Sequence, residues 1–135
     1  MGDAPKKLMV VDDDAADARF VLRAFSETGR RLDITHVNDA EAASDRLANE
    51  EFDYILLDIN MPGTNGVDLL RRLRTRSLTA LTPVIMLSSS ASIADVERAY
   101  ESGANAYAVK PSSLSGYREF AEGFTRFWVD VALTP

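Results

Sequence analysis

Residues 52–66, FDYILLDINMPGTNG, restrict the fold more than any other part of the chain. Tyr54, Ile55, Leu56 and Leu57 form an unbroken apolar run, which suits a strand buried on both faces of a parallel sheet. Asp58 ends that run. Met61-Pro62-Gly63 and Asn65-Gly66 follow, with enough turn formers to force the chain out of the sheet. A carboxylate therefore stands at the carboxyl end of a central strand, the edge at which open α/β sheets place their ligands.

The rest of the chain repeats this grammar. Leu8-Met9-Val10-Val11 is a second buried-strand run and stops on Asp12-Asp13-Asp14. Residues 15–28 place Ala18, Val21, Leu22 and Phe25 at helical spacing and close on Gly29. Residues 32–37 alternate like a strand near an edge, and Asn38-Asp39 turn into a helix built on Ala40, Ala43 and Leu47. A short amphipathic helix over 67–74 leads to a strand over 83–87, which runs into Ser88-Ser89-Ser90. A helix over 92–102, a fifth strand over 106–109 and a closing helix over 115–131 complete the chain. Five strands alternating with five helices imply right-handed crossovers and the α/β class: a flavodoxin-like, doubly wound, five-stranded parallel sheet in the order 2-1-3-4-5. No repeat or linker interrupts it, so one domain over residues 1–135, with no output domain, is expected.

Composition removes other classes. A net charge of −6 disfavours a general nucleic-acid binder. The only basic cluster, Arg71, Arg72, Arg74 and Arg76, reads as a solvated helix face and C-terminus. With no cysteine there is no thiol nucleophile or thiolate metal site. No apolar run is long enough for a membrane span, and the start MGDAPKK lacks a leader's apolar core and has Lys6 where lipidation wants Ser or Thr. A cytoplasmic protein is the expectation.

In the expected strand order, Asp12, Asp13, Asp58, Ser88 and Lys110 face one crevice. Close carboxylates repel by about 4 kcal/mol per pair at an effective dielectric near 20. A hard divalent cation relieves that repulsion, and sparse carboxylates completed by water suit magnesium. Asp13 and Asp14 also fit as caps of the first helix, and Ser88 as a cap of the fourth. The proline after Lys110 pushes that residue toward extended geometry and admits a cis bond, so the pair can end a strand and turn the ammonium into the crevice, where it would hold a phosphoryl oxygen.

The set VVDDD at 10–14, ILLDINMPGTNG at 55–66, MLSSS at 86–90 and YAVKP at 107–111 resembles the receiver domain of bacterial response regulators. The resemblance spans essentially the whole chain. It implies that Asp58 accepts a phosphoryl group from a sensor histidine kinase and that Asp13 ligates Mg2+ directly, with Asp12 acting through bound water and Asn60 offering its backbone carbonyl. It further implies that Ser88 and Lys110 bind the phosphoryl oxygens, that Ser89 leaves room for the donor, and that Tyr107 is a switch residue reporting on the surface of the fourth helix, fifth strand and fifth helix. Such a protein assists its own phosphorylation and slow dephosphorylation without being a turnover enzyme. SGANAYAVKPSS and FTRFWVDVALTP resemble, more narrowly, stand-alone receivers that partner phytochromes, which points to a bacteriophytochrome-type kinase. The apolar stripe Phe124, Phe127, Trp128 and Val131 suggests a homodimer through the last helices.

Rivals fare worse. A phosphatase of the haloacid dehalogenase type wants a second aspartate two residues after the first, where this chain has Asn60. A phosphate-independent adaptor receiver would not need the full acidic, hydroxyl and amine set. A flavin binder would meet acidic residues where its phosphate should sit. Asp14 adds a third carboxylate that bears on donor docking or metal binding. His36, the lone histidine, is expected in a strand away from the site, partly buried rather than a phosphorelay group.

Overall fold

The computed structural model describes residues 4–135. The reading of the first residues as neither leader nor lipidation signal falls partly on residues 1–3, outside that range. Strands β1 (Lys6–Val11), β2 (Leu32–Val37), β3 (Tyr54–Leu57), β4 (Val84–Ser88) and β5 (Ala106–Val109) form one parallel sheet in the order β2-β1-β3-β4-β5. Helices α1 (Ala15–Ser26), α2 (Ala40–Leu47), α3 (Gly66–Arg74), α4 (Ile93–Glu101) and α5 (Leu114–Phe124) alternate with them. This is the expected class and strand order.

The buried runs work because each strand divides its residues between two layers with a period of two. Met9, Val11, Ile55, Leu57, Val84 and Met86 pack with Leu47 of α2, Leu70 and Leu73 of α3 and Ala99 of α4. Leu8, Val10, Tyr54, Leu56, Ile85 and Leu87 pack with Val21 and Phe25 of α1 and Tyr117 and Phe124 of α5. Side-chain oxygens of Asp14, Asp39, Asn65, Ser92 and Ser113 cap the five helices and accept from their first-turn amides. The cap of α4 is thus Ser92, and Ser88 is left free of that duty.

The register places the site. Val11 pairs with Leu57, so Asp12 and Asp58 leave neighbouring strands at the same level. The ladder runs one residue further at each, with the Asp58 amide donating to the Val11 carbonyl (3.0 Å) and the Asp12 amide to the Val37 carbonyl (3.1 Å). The Lys110 amide likewise donates to the Ser88 carbonyl (2.8 Å).

Two local expectations need correction. The closing helix does not run unbroken to Val131. It ends as α-helix at Phe124 and continues as a π-helical turn, Thr125–Val129. The Asp130 and Ala132 amides reach back five residues to the Thr125 and Phe127 carbonyls (3.0 and 2.7 Å), while the Tyr54 hydroxyl donates to the Trp128 carbonyl (3.0 Å) and the Thr125 hydroxyl adds a bond to the Ala121 carbonyl (2.9 Å). The arginine cluster is not a free basic face. Arg74 donates to the carbonyls of Thr79, Thr82 and Gly103, Arg76 to the Ser44 carbonyl and hydroxyl, and Arg72 to Glu41, so these guanidiniums tie loops and helices together. The Lys110–Pro111 bond is trans.

Gly66 opens α3 directly against the strand end that carries Asp58. A Cβ there would overlap the Asp58 carbonyl oxygen and come within 3.0 Å of the Ile59 Cα, and backbone cannot step aside as a flexible side chain would. Gly66→Ala is expected to destabilise the fold by about 3 kcal/mol, read as a lowered urea midpoint. A midpoint equal to wild type would show that this junction is looser than described.

Candidate functional site

At the carboxyl edge, Asp12 and Asp58 are buried, Asp13 is exposed, and one oxygen from each lies within 4.8 Å of the others. The structure thus brings together the three carboxylates expected from the sequence. Asp14 stays outside that group. It faces solvent and caps α1, accepting from the Ala16 and Asp17 amides (2.9 and 3.0 Å), and the Asp17 amide chiefly holds its carboxyl below the usual range. The capping reading is therefore right for Asp14.

Lys110 reaches into the pocket as expected. Its Nζ lies 2.9 Å from Asp12 Oδ2, 3.1 Å from Asp58 Oδ2 and 2.9 Å from Asp17 Oδ2. Burial pulls the Lys110 pKa down, but hydrogen bonds to Asp17 and Asp12 and the charges of Asp58 and Asp12 outweigh it, so the group stays firmly protonated. Asp58 shifts the other way for a carboxylate in an ion pair. Its burial raises the pKa, Lys110 lowers it and Asp12 raises it, leaving it above the ordinary range. The two shifts agree once the charges are counted: the amine sees several anions, while each anion sees a single amine and its own like neighbours.

The other expected residues fall around this pair. The Asn60 amide points to Asp58 Oδ1 (3.3 Å). Ser88 is fully buried at the end of β4, and its Oγ accepts from the Ser90 amide (3.2 Å). Ser89 is exposed. Tyr107 packs against the α4 side of the core and its hydroxyl donates to the Ser90 carbonyl (2.8 Å).

Three hard oxygens, two of them buried, with one shared ammonium among them, leave negative charge uncompensated. That donor set fits a divalent cation of the magnesium type, which takes carboxylate and water oxygen. Asp12, Asp13 and Asp58 are the side chains that would hold it.

Comparison with known proteins decides the family. The model of the response regulator receiver domain matches residues 8–121. The chain belongs to that family. It is 32% identical over 107 residues to the sensory/regulatory protein RpfC of Xanthomonas campestris, covering 78% of this chain but only 14% of that one. Among solved structures, the phosphorylated cyanobacterial phytochrome response regulator RcpA is 28% identical with a TM-score of 0.89, covering 98% of this chain and 99% of that chain. The Mn(2+)-bound form of response regulator Rcp1 is 26% identical with a TM-score of 0.88, covering 97% and 99%. This is a receiver domain of two-component signalling, structurally similar to phytochrome response regulators.

Sequence reasoning missed three residues of this receiver's site. Asp17 binds Lys110, yet in the sequence it is simply an acidic residue in the first turn of a helix, where the dipole alone would explain it. His36 is half-buried as expected but not remote: its Nε2 lies 2.8 Å from the Asp12 carbonyl oxygen, because β2 pairs with β1 and sets His36 beside Val10. Ser90 joins Ser88 to Tyr107 and also bonds Asp95 of α4 (2.6 Å). Only the serine-rich run itself hinted at it.

The raised Asp58 pKa carries a sign for stability. Folded Asp58 takes up its proton at higher pH than the unfolded chain, so its contribution favours the fold in acid and is lost as pH rises through the raised pKa of the folded group. In chelator, Asp58→Asn is expected to match wild type at about pH 3, below the ordinary carboxylate pKa, and to be the more stable of the two at about pH 7. Urea unfolding at both values checks this, and a variant destabilised at neutral pH would contradict it.

Proposed function

We propose that this receiver accepts a phosphoryl group on Asp58 from a phosphohistidine of a sensor kinase, with Mg2+ required. The observation that carries the reading is the convergence of Asp58, the acidic pair and Lys110 within hydrogen-bonding or metal-binding reach on one strand edge. One Asp58 carboxylate oxygen forms the new P–O bond as the P–N bond to the imidazole breaks, and the leaving nitrogen keeps the electron pair. The sheet ladder fixes the backbone of Asp58, and Lys110 already has an N–H on its carboxylate that a phosphoryl oxygen would take over. Asp12, Asp13, Asp58 and the Asn60 carbonyl would hold Mg2+, which when bound would supply charge neutralisation on the transferring oxygens. Attack by water on the same phosphorus would give slow self-dephosphorylation, so the protein is a self-assisting acceptor rather than a turnover enzyme.

The switch runs through Ser90. Ser88 Oγ holds the Ser90 amide, the Ser90 carbonyl holds the Tyr107 hydroxyl, and the Ser90 hydroxyl holds Asp95 in the first turn of α4. A phosphoryl group that draws in the Ser88 hydroxyl removes the first link, frees Tyr107 to turn inward and changes the α4-β5-α5 surface. The likeness to the phytochrome response regulator RcpA supports a phytochrome-type kinase as partner. The C-terminal stripe supports a homodimer: Phe124 is core, but Phe127 and Val131 are 53% and 70% exposed, and they would bury well against a second copy.

Acetyl phosphate with Mg2+ is expected to add about 80 Da to the intact protein, the mass of one phosphoryl group. Asp58→Asn or chelation should abolish the gain. An unchanged gain in the variant would move the acceptor elsewhere. Sedimentation at tens of micromolar is expected to show a dimer that Phe127→Glu dissociates, and a wild-type monomer would remove the dimer reading.

A further inference from the structure

An ammonium has three N–H donors, and Lys110 donates to Asp17 and Asp58 and pairs by charge with Asp12, whose Oδ2 lies 2.9 Å away. Two of these acceptors have a second duty, since Asp12 and Asp58 belong to the group able to hold a cation, and Asp58 is the proposed nucleophile. Asp17 lies outside that group, and its carboxylate binds only Lys110 in the structure described. It also comes from a different part of the scaffold. Asp17 stands on α1, whose Ala18 and Val21 are locked in the core, and its own amide is held by the Asp14 cap. The two loaded acceptors hang instead from the strand ends.

From this asymmetry we infer that Asp17 is a positioning residue, a fixed anchor that keeps one Lys110 N–H while the other two pass between the site carboxylates and the phosphoryl oxygens. The inference rests on the reading of Asp58 as phosphoacceptor. When a cation draws on Asp12 and Asp58, and when Asp58 becomes an acyl phosphate, both loaded acceptors lose their hold on the amine. A long, flexible side chain would then have no fixed partner. The Asp17 carboxylate keeps the ammonium over the pocket through the cycle, so the amine pivots rather than searches. The side chain of Lys110 is 10% exposed and that of Asp17 29%, so the contact is sheltered on one side and open on the other, where a donor approaches.

The test is a double-mutant cycle on the rate of phosphorylation by acetyl phosphate at saturating Mg2+, followed by intact mass. Asp17→Ala is expected to slow the reaction about tenfold and Asp17→Asn, which keeps an acceptor oxygen in place, only about threefold. In a Lys110→Ala background, Asp17→Ala should change the rate by less than about twofold, because the anchor then has nothing to hold. A direct reading comes from the Lys110 ammonium 15N signal, which is expected to persist in wild type and in Asp17→Asn and to vanish by fast exchange in Asp17→Ala. Equal wild-type and Asp17→Ala rates would overturn the inference, as would a full loss repeated in the Lys110→Ala background or an ammonium signal unmoved in Asp17→Ala. Failure of wild type itself to gain phosphate would instead strike the reading of Asp58.

Discussion

One ammonium among buried carboxylates is the interaction on which the molecule's chemistry depends. Without Lys110, the parallel register of β1 and β3 would set Asp12 and Asp58 side by side with burial and mutual repulsion both against ionisation. Lys110 relieves part of this and not all of it: the pKa of each group is raised, which favours the charged amine but leaves the charged form of Asp58 disfavoured by its burial. That incomplete compensation is useful. A fully satisfied cluster would have no affinity left for a cation, whereas a pocket still short of positive charge attracts one, and an anionic phosphoryl group would be drawn in only with that cation bound.

Keeping such a pocket costs stability, and the two apolar layers offset it. β3 and β4 are buried over their whole length and β1 over its last four residues, so the central strands are anchored where Asp12 and Asp58 follow them. The edge strand β5 differs: its residues are half-buried to exposed, and it delivers both Tyr107 and Lys110. The proposed switch residue and the amine thus come from the least embedded strand and the proposed acceptor from one of the most embedded, a division suited to a site that must stay fixed while its surroundings respond.

The parts of this design that were legible in the sequence are those written in contiguous residues. Tyr54 to Leu57 stopping at Asp58, and Leu8 to Val11 stopping at Asp12, specify buried strands and their charged ends within a few positions, and alternation with helices then specifies the sheet order. The parts that escaped depend on side chains meeting across long separations. Asp17 and Lys110 are 93 residues apart, and nothing local distinguishes an acid that binds a distant amine from one that favours a helix dipole. His36 was judged by its strand and not by the neighbour that strand acquires. Arg74 reads in the sequence like any charge in a last helical turn, yet its guanidinium collects four loop carbonyls. The π-helical turn was hidden for the same reason, since the hydroxyl that takes the Trp128 carbonyl comes from Tyr54 on another element.

That turn also explains why the C-terminal stripe splits. A continuous α-helix would keep Phe124, Phe127, Trp128 and Val131 on one face at their helical spacing. The wider turn changes the angle between them, leaving Phe124 buried, Trp128 partly buried against the α1 and α5 layer, and Phe127 and Val131 in solvent. The Phe127 and Trp128 rings still meet edge to face at 5.0 Å, so the exposed ring is braced by a packed one. The Arg30 guanidinium binding Asp130 just beyond the turn fixes its far end to the body of the domain. Apolar area that is both exposed and rigid loses little entropy when it is covered, which is the condition under which a small patch can hold a partner.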